Sequence, residues 1–176
     1  MPSIIRSIRG RLLGLAQDDS LIINRDEGFQ EVIGASKYTL ITSAQVLALF
    51  ATPQSVVAAP GAGLAIVPSK VVIHKPAGTA YAGVAAGEDL VLKYTNAAGA
   101  QCSSVIEATG FLDQATAQTR VARFPASTGA TAGDVTPVAN AAVVLHMLTG
   151  EVITGDSALH VRVWYDVIKT AFTSAA

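Results

Sequence analysis

Hydrophobic and polar positions alternate with a period of two near the end of the chain. Leu159, Val161, Val163, Tyr165 and Val167 take one parity, and His160, Arg162, Trp164 and Asp166 take the other. That alternation is the mark of a half-buried strand. Before it comes an apolar run of Val143, Val144, Leu145 and Met147, and residues 149–157 between them hold Gly150, Gly155, Asp156 and small polar side chains. A strand, a long polar turn and a second strand over residues 141–168 predict the closing pair of a β-sandwich, whose apolar face needs earlier strands to cover it.

The earlier chain supplies them. Tyr38, Leu40 and Ile41 predict a short strand, after which Thr42 or Ser43 caps a short helix running to Phe50, with Val46, Leu47 and Phe50 on one face and Pro53 as its stop. Residues 55–59 read as extended, 60–63 as a turn, and 64–74 as a long strand. Pro68 lies inside that strand and cannot donate to a ladder, so the strand is expected to be an edge, or bent or broken there. Residues 77–87 are small and glycine-spaced, a surface loop tucked down by Tyr81. Leu90, Leu92 and Tyr94 alternate with Val91 and Lys93, residues 96–100 form a turn, and 101–108 return antiparallel. Residues 119–124 make another short strand and 125–137 a long loop. Roughly eight strands, one short helix and no strand–helix rhythm predict an all-β fold: an antiparallel β-sandwich or jelly roll rather than a closed barrel.

Residues 1–35 differ from this pattern. Nine charged residues fall there: Arg6, Arg9, Arg11, Asp18, Asp19, Arg25, Asp26, Glu27 and Glu31. Ile4, Ile5, Ile8, Leu12, Leu13 and Leu15 have partial helical spacing, but Gly10 and Gly14 each weaken a helix by ~1 kcal/mol relative to alanine. Residues 21–23 and 29–33 can pair as a hairpin or lie extended on a neighbour. The segment reads as an N-terminal extended arm (1–35) on a β-sandwich domain (36–176), with a helix packed under the sandwich as the alternative. It is too apolar for a solvated tail and too glycine-broken for an independent fold.

Composition narrows the function. Charged residues are only 14% of the chain against ~25% in an average soluble protein, which reads either as a surface largely covered by sister copies or a partner or as a composition whose hydrophobic count alanine inflates. Twelve basic residues against thirteen acidic leave no basic stripe for nucleic acid. No apolar run approaches the ~18 residues that span a bilayer, and the opening residues lack the pattern of a cleaved signal. The single cysteine, Cys102, excludes an intrachain disulfide and a cysteine zinc cluster and is expected in a strand as a small hydrophobe. His74, His146 and His160 lack the His-x-His spacing of jelly-roll metal enzymes, and no metal or cofactor is expected. Ser103, Ser104 and Ser157 lack the Gly-x-Ser-x-Gly setting of a nucleophile, and Asp134, Glu151 and Asp156 lack calcium-loop spacing. Trp164, opposite the Tyr165 set, is either a second core layer or an interface anchor.

Two stretches carry a resemblance. Thr42-Ser43-Ala44-Gln45-Val46-Leu47-Ala48-Leu49-Phe50-Ala51-Thr52-Pro53 with Val56-Val57-Ala58-Ala59-Pro60-Gly61-Ala62-Gly63, and later Leu145-His146-Met147-Leu148-Thr149-Gly150-Glu151-Val152-Ile153-Thr154-Gly155-Asp156-Ser157, resemble small virion proteins of tailed bacteriophages, over residues 38–168. The resemblance implies a non-enzymatic head-decoration (cement) protein on the capsid surface of the virion, assembled in the host cytoplasm. Its implied partners are the major capsid protein and copies of itself, with a homotrimer favoured over a dimer. The expected contact residues are Ile4, Ile5, Arg6, Ile8, Arg9, Arg11, Leu12, Leu13 and Phe29 of the arm, together with Trp164. A tail, neck or fibre-base component is the alternative, and a jelly-roll carbohydrate-binding module a more distant one, because aromatics are few and no carboxylate pair stands out.

Overall fold

The structure, a computed structural model, describes residues 4–6, 12–15, 21–24, 30–84, 88–123 and 135–170, with side chains from residue 34 onward. It is an all-β fold, with two antiparallel sheets and one short helix among the described residues. The strands are β1 (Ile4–Arg6), β2 (Leu12–Leu15), β3 (Leu21–Asn24), β4 (Gln30–Ile41), β5 (Gln54–Val57), β6 (Leu64–Lys75), β7 (Leu90–Tyr94), β8 (Gln118–Arg123), β9 (Val143–Met147) and β10 (Leu159–Lys169), with α1 (Ser43–Val46) after β4. The larger sheet has the order β1-β2-β3-β4-β10-β6-β8 and the smaller β5-β9-β7.

β10 is the spine of the larger sheet. Its alternation puts Leu159, Val161 and Val163 into the core, and β4 and β6 flank it antiparallel along nearly its whole length. β6 is as long as expected, and its proline has the consequence expected of it. Pro68 lies opposite Tyr165, where the β6–β10 register shifts, and outside residues 70–75, which pair with β8 among the described residues. β4 is longer than the short strand expected at Tyr38. It begins at Gln30, pairs with β3 through Leu21↔Ile33 to Asn24↔Gln30, and runs unbroken through residues 35 and 36.

The two strands of the expected closing pair do not pair with each other. β9 lies between β5 and β7 in the small sheet, whereas β10 is central in the large one, so residues 148–158 cross from one sheet to the other. Both runs are apolar because they face each other across the core, an arrangement that periodicity alone does not separate from a hairpin. The core cluster draws Leu90, Leu92, Tyr94, Val143, Leu145 and Met147 from the small sheet against Ile66, Val71, Ile73, Leu159, Val161 and Val163 from the large one. Each such side chain contributes about 1.5–3 kcal/mol on leaving water. The buried Tyr94 hydroxyl donates across the gap to the Ile66 carbonyl at 2.7 Å, and burial with the neighbouring Cys102 pushes its pKa up.

The return after β7 is also less regular than expected. It survives as the bridges Lys93↔Gln101 and Leu90↔Ile106, between which the register slips by two residues. Ser103 absorbs the slip: its Oγ accepts from the Leu92 amide at 2.8 Å and donates to the Ser104 carbonyl at 2.8 Å, standing in for a ladder partner. The helix is one turn, capped by Thr42 in a capping box with Gln45, and it buries Val46 and the following Leu49 while Phe50 stays exposed. The 77–84 loop is tucked as expected by Tyr81, whose hydroxyl donates to the Ser157 carbonyl.

Candidate functional site

Three alternate rungs of the large sheet cross four strands and turn their side chains away from the core. Leu40, His160, His74 and Thr119 make the first rung; Tyr38, Arg162, Val72 and Val121 the second; Ser36, Trp164, Lys70 and Arg123 the third. None of the twelve is buried, and three large apolar side chains stand open to solvent: Tyr38 at 50%, Leu40 at 48% and Val121 at 58%. Three permanent cations and two histidines lie among them, and no carboxylate does. A face of a single charge sign, in a chain with more acidic than basic residues, is a separation that the net charge hides.

The polar groups of this face hold one another. The Lys70 ammonium sits 3.7 Å from the centroid of the Trp164 ring, and the Arg162 guanidinium carbon 5.6 Å from it. Tyr38 Oη and His160 Nδ1 share a hydrogen bond of 2.7 Å, and His74 Nδ1 and Thr119 Oγ1 one of 2.9 Å. The two imidazoles lie 6.1 Å apart, centroid to centroid. Asp166, one rung beyond, turns its Oδ1 to the Gly34 amide at 2.8 Å. These contacts fix long side chains in place, which lowers the entropy lost when a partner binds.

Elsewhere the chemistry-bearing residues act as staples. Glu151 accepts from the Phe50 and Ala51 amides at 3.1 and 2.9 Å, and Asp156 accepts from the Thr79 amide and hydroxyl at 2.7 and 2.9 Å, hydrogen bonds that lower the pKa of Asp156. The fully buried Lys75 donates to the Gln114 carbonyl at 2.6 Å and the Pro76 carbonyl at 3.3 Å, and burial lowers its pKa despite Asp156. Burial pushes the Cys102 thiol up to about 12, so it is an inert hydrophobe. His146, unlike the other two histidines, is buried under the outer side of the small sheet with its ring stacked 5.9 Å from Phe50. Neither of its nitrogens has a hydrogen-bond partner, and burial, then the Lys93 ammonium, lowers its pKa against smaller opposing effects of the Phe50 backbone and Glu151. Among the described residues no three of His, Cys, Asp and Glu group as metal ligands. A cleft of about 580 Å³ opens between β8 and residues 104–107.

Of the contact residues expected from sequence, Trp164 lies in the outward face, half-buried under Lys70. Ile8, Arg9, Arg11 and Phe29 lie outside the described residues, and Ile4, Ile5, Arg6, Leu12 and Leu13 belong to β1 and β2, whose side chains lie outside them. Tyr38, Leu40, Lys70, Val121, Arg123 and Arg162 are contact candidates that sequence reasoning missed. A signal existed in the polar parity of β10 and in the alternation of Lys70, Val72 and His74, but which strands lie side by side was not in it. Searches for a matching family model, a curated relative and a similar solved structure all found none.

Proposed function

We propose that the chain is a non-enzymatic decoration protein that binds the outer surface of a tailed-phage head and braces the capsid lattice, with the outer face of its large sheet as the docking surface. The observation that carries the docking role is the twelve-position face itself. Tryptophan, tyrosine and arginine are the residues over-represented at binding hot spots, and here they stand together on one face of the sheet with exposed leucine and valine around them. The phage assignment is supported by the resemblance of the helix-to-turn stretch after Thr42 and the crossing segment after Leu145 to virion proteins. The mechanism is stabilisation by linkage: a protein that engages only the assembled lattice raises the free energy of taking it apart, by about 2.7 kcal/mol per site at a hundredfold excess over Kd.

The test is quantitative mass spectrometry of purified particles. Copies near one per major capsid subunit, together with loss of particle stability when the gene is deleted, support decoration. A few copies per particle place the protein in the tail or neck, and absence from particles removes both readings.

A further inference from the structure

We infer that the outer face of the large sheet takes a carboxylate-bearing protein surface, and neither a second copy of itself nor a nucleic acid. The inference rests on reading this face as the docking surface, and it adds the chemistry of the partner.

Charge complementarity argues for acid. Lys70, Arg123 and Arg162 occupy neighbouring rungs with no carboxylate among the twelve positions, and the nearest acidic group along β10, Asp166, is engaged by the Gly34 amide. Two copies meeting face to face would set these cations against their own kind, which costs affinity and suppresses self-pairing. Nucleic acid is disfavoured for a different reason. Sequence-tolerant strands bind by stacking bases on open aromatic faces. The ring of Trp164 already carries an ammonium at 3.7 Å. Exposed Leu40 and Val121 beside the cations instead suit a protein patch in which apolar contact is framed by Asp and Glu.

Trp164 is the chain's only tryptophan, so its emission reports the face directly. The full-length protein is titrated at low salt with poly-L-glutamate and, separately, with an oligothymidylate of matched charge. Poly-L-glutamate is expected to shift Trp164 emission saturably and to lose its effect in 0.5 M salt, on the order of a Debye length of 4–5 Å. Its affinity should fall about tenfold or more in the K70E/R123E/R162E variant, as calorimetry also reads, and stay within about twofold in K37E, which reverses a charge of the opposite parity on β4. The single R162E variant, altered at an exposed position, keeps the test available if the triple variant fails to fold, with a loss of about threefold expected. An equal or tighter response to oligothymidylate overturns the inference in favour of a phosphate polymer. No response to poly-L-glutamate, an unchanged response in the charge-reversed variants, or concentration-dependent self-association abolished by the same substitutions also overturns it. Absence of the protein from virions would sink the decoration reading while leaving these outcomes to decide the face on their own.

Discussion

The two sheets of this sandwich each have an outer face, and the chain treats them in opposite ways. On the small sheet Val91, Val144 and His146 point away from the core and yet are 0%, 5% and 3% exposed. Phe50 stacks on His146, and the segment that carries it is pinned by Glu151 through two backbone amides. On the large sheet Tyr38, Leu40 and Val121 stand about half open. Among the described residues one outer face is covered and the other leaves apolar side chains exposed, and exposed apolar patches of this kind are a mark of contact sites.

The two faces should differ most when the same charge is placed at one valine of each. Val144→Asp should destabilise the protein by about 3–5 kcal/mol, since it leaves an unpaired carboxylate in a closed site. Val121→Asp should stay within about 0.5 kcal/mol. Chemical denaturation of both variants checks the pair, and similar losses would mean that the faces are not different in kind.

The closed face should also respond to acid. His146 has a folded pKa below its unfolded value, so below about pH 6.5 the unfolded chain takes up a proton that the folded chain refuses. Stability is then lost as pH falls from 7 toward 5, with a slope of up to about 1.4 kcal/mol per pH unit. His146→Gln should flatten that part of the profile. Asp156, whose folded pKa is also lowered, acts in a separate window near and below pH 4.

Glu151→Ala comes next. Removing the acceptor of the Phe50 and Ala51 amides should cost about 1 kcal/mol and raise the reactivity of His146 toward an imidazole reagent, read by mass spectrometry. The smallest expected effect is that of deleting residues 1–29. Among the described side chains the core cluster starts at Ile41, so the melting temperature is expected to change little, whereas a cut at residue 35 would also remove the β4 residues that pair with Tyr165 and Val167. A truncated chain that fails to fold would show that β1–β3 are part of the core.

How much of this was legible depends on the range of the interaction that decides it. Local rules read well: the β10 alternation, the Thr42 cap, the interruption at Pro68 and the tuck at Tyr81 each depend on a few neighbouring residues. Two errors came from pairings over distance. β9 and β10 look like a hairpin because both are apolar strands joined by a polar segment, and only the core between them decides that they belong to different sheets. Ser103 breaks a ladder that alternation predicts as continuous, through a side-chain hydrogen bond that no periodicity encodes. The candidate face is the extreme case. β10 and β6 show an outward polar parity, but β4 and β8 do not, and Tyr38 meets Arg162 and Lys70 meets Trp164 only after the topology is known.

The most direct test of the claim that the large sheet's open face is the docking surface is hydroxyl-radical footprinting of Tyr38, Leu40 and Trp164 in the free protein and in intact virions. If that face docks, all three react in the free protein and are protected together in the particle, while Phe50, on the opposite side of the sandwich, keeps its reactivity. Unchanged reactivity of the three with protection elsewhere would contradict it.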